Sequence, residues 1–168
     1  RIYKKRVAAY ISVGGAKDTN WTSLGLPTLH MLTFSNDIQV VDQMDVTRCA
    51  EPGSVLLKED IVARARRLGQ NLAKAMLMPH DEVKWMGEEP EECCPVCHRN
   101  LLVIEKGAAQ AECAICGIKG EIKFKDGGFD IEFSEEQQNV ARMRMGGKLL
   151  HGSEIFEVAA AFKPLAHL

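Results

Sequence analysis

Apolar residues along the chain fall into two continuous runs, one long helical repeat and several short alternating segments. Arg6 to Val13 (RVAAYISV) is apolar almost throughout and stops at Gly14-Gly15, the pattern of a buried strand ended by a loop. Ile38 to Val46 (IQVVDQMDV) reads as a second strand. Between them, Trp21 to Ser35 spaces Leu26, Leu29 and Leu32 at helical steps. Its start is expected near Asn20 or Thr22, with Pro27 disturbing the first turns. The strongest helix signal is Glu59 to Met78, where Ile61, Ala65, Leu68, Leu72 and Met76 recur every three or four residues. Arg64, Arg66, Arg67 and Lys74 fall between them and are assigned to a solvated face.

Strand, helix, strand, helix is the order of a parallel α/β sheet. Two strands leave both edges open, so further strands, from an upstream half or another chain, are expected to complete the sheet. The chain opens on Arg1 instead of Met, and residues are expected upstream.

After residue 79 the character changes. Residues 80–92, with the acidic run Glu88-Glu89-Pro90-Glu91-Glu92, read as a linker. Residues 93–133 read as a β-rich module with strands at Leu101 to Glu105, Ile118 to Lys125 and Phe129 to Phe133, turning at Gly107 and Asp126-Gly127-Gly128. Residues 134–168 read as a helical tail broken at Gly146-Gly147, with Ser153 capping Glu154 to Phe162 and Pro164 ending it. Residues 1–79 are then the α/β part.

Composition narrows the class without naming a function. The 168 residues are 46% apolar and 26% charged, as in soluble globular proteins. A net charge of −2 argues against a nucleic-acid partner, which needs concentrated positive charge. No apolar run reaches the ~18 residues of a membrane span. Cysteine usage points to a reducing compartment, and a cytoplasmic protein is expected.

The chemical signal lies in Cys94-Pro95-Val96-Cys97 and Cys113-Ala114-Ile115-Cys116, two C-x₂-C pairs fifteen residues apart. Two facing pairs make a tetrahedral S₄ site for Zn²⁺ or, alternatively, a single iron. Zinc would clamp a module too small to fold on its own core; iron would carry one electron. Cys97-His98 also completes the C-x-x-C-H haem attachment pattern, although the second pair already accounts for these cysteines. Cys93 is an alternative to Cys94 as a ligand, and Cys49 reads as structural. Around Gly14-Gly15 the loop carries Asn20, Trp21 and Thr22, residues able to approach, stack on or bond a flat ligand at the carboxyl end of a strand. Spacing alone equally fits a plain strand-to-helix turn. His30 reads as packed, while His80, His151 and His167 have no partner legible in the sequence. Met143 and Met145 read as a packing face.

The stretch RVAAYISVGGAKDTNWTSLGLPTLHMLTFSNDIQVVDQMDV, followed by C-P-x-C-H and C-x-x-C-G, resembles the later half of flavodoxin-like NAD(P)H-dependent FMN reductases over about residues 5 to 125. That resemblance implies a partial flavodoxin-like parallel sheet and, after it, a zinc-ribbon or rubredoxin-like module. It also implies FMN as cofactor, NAD(P)H as hydride source and flavin contacts from Gly14, Gly15 and Trp21, beside which Asn20 and Thr22 can donate hydrogen bonds as candidate cofactor-binding residues. The family's phosphate-binding loop after its first strand has no counterpart here, so FMN is expected to bind weakly or not at all without an upstream half. Oligomers are common in that family and are expected here. The rival expectation is a non-catalytic scaffold subunit docking its ribbon on a larger assembly.

Overall fold

The computed structural model describes residues 5–36, 38–89 and 93–163, and they form two compact units, Arg1–Glu89 and Pro90–Leu168. Pro90, Glu91, Glu92, Pro164 and His167 of the sequence reading lie outside the described residues. Parallel and antiparallel sheets together make the fold a mixed α/β one.

In the first unit, β1 (Arg6–Val13) and β2 (Ile38–Val46) pair in parallel, in register from Arg6↔Ile38 to Val13↔Val46. The register shifts between Ala8 and Ala9. Helix α1 (Gly25–Thr33) packs on β1 and β2, and α2 (Glu59–Leu77) packs on the same pair. Ala9, Met44 and Val46 gather beneath Leu68 of α2. On α1, His30 is buried, bonded through Nε2 to Gln43 Oε1 at 2.9 Å, with Tyr10 edge-on to its ring.

Helix α1 begins four residues later than the sequence pattern suggests. Residues Thr19–Trp21 form a 3₁₀ turn, and the N-cap is Leu24, not Asn20 or Thr22. Pro27 explains this: it has no N–H to give a preceding carbonyl, so it is tolerated only in the first turn, where N–H groups have no helical partner. The first α-helical bond runs from Thr28 N to Leu24 O.

Arg64 does not sit on the solvated face of α2. It is buried, and its guanidinium grips the fully buried Asp42 of β2 by two bonds, Nη1 to Oδ2 at 3.0 Å and Nη2 to Oδ1 at 2.5 Å. Nη2 also donates to Gln43 O. The other Asp42 bond comes from Asn71 Nδ2 at 2.8 Å, and that amide also donates to Met86 O at 2.9 Å. A carboxylate sealed in a strand must be paired, and a planar guanidinium can reach both its oxygens at once. The bond to Asp42 raises the Arg64 pKa and keeps the charge in place. At the helix end the buried stripe passes to Ala75, and Met76 is exposed.

Residues 80–89 return over the α/β unit. His80 opens a short 3₁₀ turn, Val83 packs with Val41 and Ala75, and Met86 N donates to Val41 O at 2.8 Å. Gly87 is required where the chain passes Asp42, since a Cβ there would lie 2.5 Å from Asp42 Oδ1 and 2.6 Å from Trp85.

The second unit is an antiparallel sheet ordered β3 (Leu102–Ile104), β4 (Gln110–Cys113), β5 (Lys119–Lys125) and β6 (Gly128–Glu132). Strand β4 (QAEC) alternates polar with buried Ala111 and Cys113, but over only four residues with small side chains, and is absent from the sequence reading. It is held by pairs on both sides, Leu102↔Cys113 and Ala111↔Gly120 among them. Lys125↔Gly128 closes the expected hairpin, with Gly127 at φ 86°. Helix α3 (Glu135–Asn139) is capped by Ser134, whose Oγ accepts from Gln137 N at 3.2 Å.

Helix α4 (Met145–Phe162) is continuous. Gly146-Gly147 lies inside its first turn and does not break it. The two glycines let that turn press onto the carbonyls of Asn139 and Ala141, where any Cβ would overlap. Ser153 is mid-helix, its hydroxyl donating to Leu150 O, and caps nothing. Among the described residues no helix is long and apolar enough to cross a membrane.

Both tryptophans, Trp21 and Trp85, lie in the first unit, so their fluorescence reports its unfolding alone. Asp42→Ala strands the buried Arg64 charge and is expected to lower the unit's stability by about 3–5 kcal/mol, read from the urea midpoint. The double change Asp42→Leu with Arg64→Met is expected to lose less than Asp42→Ala by itself.

Candidate functional site

The residues that the sequence singles out come together in two places among the described residues, and each is built by the elements around it. In the second unit the two C-x₂-C pairs form knuckles of the same geometry. Cys94 N donates to Arg99 O, and Cys113 N donates to Ile118 O, both at 2.9 Å. His98 N closes on Cys94 O, and Gly117 N on Cys113 O, both at 2.8 Å. The residue after each pair adopts a left-handed conformation, φ 72° at Gly117 and 54° at His98. Glycine enters that region freely, whereas a histidine there costs about 1–2 kcal/mol, so the knuckle's closure outweighs the strain. Amide hydrogens also point at sulfur, Val96 N to Cys94 Sγ at 3.5 Å and Cys116 N to Cys113 Sγ at 3.3 Å.

The knuckles face each other because Leu102 pairs with Cys113 across β3 and β4 and Ala114 N bonds Leu101 O. Cys94, Cys97, Cys113 and Cys116 are all buried, with their sulfurs within 4.8 Å of one another. Cys97 and Cys113 are 3.6 Å apart at sulfur. A tetrahedral ion with Zn–S bonds of about 2.3 Å requires sulfurs roughly 3.8 Å apart, so the set fits a four-thiolate metal. These four are also half of the eight residues in the unit's main buried cluster, beside Ile115, Ile118, Phe133 and Ala141. Cys93, the alternative ligand, is only partly buried and outside this set.

Cys113 is held far below the ordinary thiol range, chiefly by the hydrogen bond from Cys116, then by those from Cys94 and Cys97. Cys97 and Cys116 are pushed far above it, each chiefly by its bond to Cys113. Burial and mutual repulsion therefore oppose four thiolates, and only a bound cation would make full ionisation favourable.

The second place lies at the carboxyl ends of β1 and β2. Their following loops are stitched together by Gly14 N to Val46 O at 2.8 Å, Cys49 N to Gly14 O at 3.1 Å and Arg48 N to Ala16 O at 3.0 Å. Lys58 Nζ caps Thr47 O at 2.8 Å. The two glycines have internal work here: a Cβ on Gly14 would overlap Thr22 Cγ2, and one on Gly15 would come 2.9 Å from Ala50 Cβ. The Thr22 hydroxyl donates back to Thr19 O at 3.2 Å. Trp21 is 79% exposed, and Asn20 is exposed beside it. The structure thus brings Gly14 and Thr22 into contact, commits both locally, and leaves Trp21 and Asn20 facing outward as groups a flat ligand could meet.

The Asp42–Arg64–Asn71 network was not anticipated. Its only signal in the sequence is an aspartate inside the apolar run VVDQM.

No family model matches the chain. It is 37% identical over 154 residues to the flavone synthase cfoJ of Aspergillus candidus, covering 90% of this chain and 46% of that protein. A solved flavone reductase superimposes with a TM-score of 0.76 at 28% identity, over 95% of this chain and 53% of its own. The chain spans about half the length of both.

Cys113→Ala is expected to abolish metal retention and unfold the second unit, seen as lost circular dichroism, while tryptophan emission from the first unit stays native. Strong chelation should do the same. Because protons compete for the thiolates, retained metal should be stable at neutral pH and released as the pH falls.

Proposed function

We propose that the chain is part of a flavin-dependent oxidoreductase in which FMN accepts hydride from NAD(P)H and passes reducing equivalents to a flavone-like acceptor, or the reverse. The observation that carries this reading is the reach of the similarity. It covers 90% and 95% of the chain, hence both units, in proteins named flavone synthase and flavone reductase. The remaining strands, in the same polypeptide or a partner, would complete a flavodoxin-like sheet against the β1–β2 pair.

FMN, when bound, supplies the hydride chemistry, and the protein supplies position and electrostatics. Trp21 would cover one side of the ring and Asn20 would offer a polar contact at its edge. Gly14 and Gly15 act by fixing the loop that holds them, and Thr22 by filling the space above Gly14. The four cysteines would hold one Zn²⁺ with no open position, which makes the ribbon a structural clamp; iron in their place would make it a one-electron relay. The chain's charge and apolar pattern suit a cytoplasmic enzyme.

A second reading, a non-catalytic scaffold, is favoured by one feature. The described half-sheet has two strands, and Ile11 and Val13 of β1 remain exposed.

FMN titration followed by flavin fluorescence separates the two. The chain by itself is expected to bind FMN weakly. Joined to the part of the flavone synthase that it does not cover, it should bind FMN and oxidise NAD(P)H, and Trp21→Ala should weaken FMN binding roughly three- to tenfold. A joined protein that folds but neither binds FMN nor turns over NAD(P)H would leave the scaffold reading.

A further inference from the structure

The loop after β2 holds a strained residue that its backbone does not need. Among the described residues only Arg48 and His98 are non-glycine residues with positive φ, 58° and 54°. His98 closes a cysteine knuckle. Arg48 has no such task. Its N–H donates to Ala16 O at 3.0 Å and its carbonyl accepts from Lys58 Nζ at 3.1 Å, bonds that glycine would make equally well at less cost. What glycine would lose is the guanidinium. Residues kept in strained conformations gather where ligands are held.

Its surroundings narrow the ligand. Lys17 directly follows the Ala16 carbonyl that Arg48 N holds, so two exposed cations stand on adjoining backbone. Asp18 and Glu51 are the carboxylates of the same two loops, and neither pairs with Lys17 or Arg48. Lys58 Nζ, on Thr47 O and Arg48 O, adds a third positive charge in a chain whose net charge is −2. The bond from Cys49 N to Gly14 O, and the packing of Gly14 on Thr22, tie this loop to the turn that presents Trp21. The nearby amides are already bonded: Gly14 N to Val46 O, Arg48 N to Ala16 O and Cys49 N to Gly14 O. A pyrophosphate or a flavin phosphate, which free backbone N–H groups cradle, finds none among these. A phosphate monoester, close to dianionic at pH 7, is the anion that a guanidinium fork and an ammonium hold by side chains alone. We infer that Arg48, with Lys17, selects NADPH over NADH by receiving the 2′-phosphate that NADH lacks. The identity of the nucleotide rests on the flavin reading; the phosphate site itself does not.

Two measurements test it. Binding of adenosine 2′-phosphate to the full chain, followed by ³¹P NMR, should weaken about 10- to 30-fold in Arg48→Gly and less in Arg48→Lys. The urea midpoint of tryptophan emission should not fall in Arg48→Gly, because glycine takes the left-handed backbone freely. In the protein joined to the part of the flavone synthase that it does not cover, Arg48→Gly should raise KM for NADPH about 10- to 30-fold more than KM for NADH. A wild-type chain that does not bind adenosine 2′-phosphate, or an Arg48→Gly chain that binds it as tightly, would overturn the inference. Equal rises in KM for both nucleotides would overturn it too, by assigning the cations to the pyrophosphate. So would weaker FMN binding with the KM ratio unchanged, which would assign them to the flavin phosphate. Phosphate binding that depends on Arg48, in a joined protein that neither binds FMN nor turns over, would support the site and remove the flavin reading instead.

Discussion

The second unit depends on four sulfurs that cannot all be charged unless something positive lies between them. Half of its main buried cluster is cysteine, its strands are three to seven residues long, and its hairpin displays Phe124 and Phe129 to solvent. Such a sheet has little apolar burial to set against the entropy of ordering. The two knuckles solve the backbone problem locally, by closing Cys94 O and Cys113 O with the amides of His98 and Gly117. They leave the electrostatic problem to any cation the four cysteines could hold. With a metal held there, folding and metal binding would be one event, and the left-handed backbone at His98 belongs to the knuckle that carries Cys94 and Cys97.

The first unit meets a similar difficulty with a different device. Two parallel strands offer little sheet by themselves, so α1 and α2 both pack on them, and one buried charge pair ties the layers. Asp42 links β2 to Arg64 and Asn71 of α2, and Asn71 passes the link to Met86. Residues 80–89 are thereby held over the unit despite their polar composition. At the opposite end, the backbone stitches between the loops after β1 and β2 fix where Trp21 stands. Structure and candidate chemistry meet there: the glycines shape a loop, and the loop presents an aromatic ring.

What could be read in the sequence were the features set by neighbours along the chain. Arg6 to Val13 and Ile38 to Val46 became strands with those bounds, the first because it is apolar almost throughout, the second because Ile38, Val40, Val41, Met44 and Val46 make it rich in residues that suit a strand. The cysteine spacing, too, is local chemistry. Features that depend on distant partners were not legible. Arg64 turns inward because of a carboxylate twenty-two residues earlier. Strand β4 exists because two other strands flank it. Gly146-Gly147 reads as a break along the chain but serves contact with the Asn139 and Ala141 carbonyls. Gly14 and Gly15, which the family resemblance assigns to a flavin, have packing reasons of their own in Thr22 and Ala50.

The measurement that tests the account most directly is metal content per chain on natively purified protein, taken with the visible spectrum after cobalt exchange. One zinc per folded chain is expected, replaced by cobalt with the intense bands of a four-thiolate tetrahedral site. A native second unit carrying no metal and four titratable thiols would contradict it.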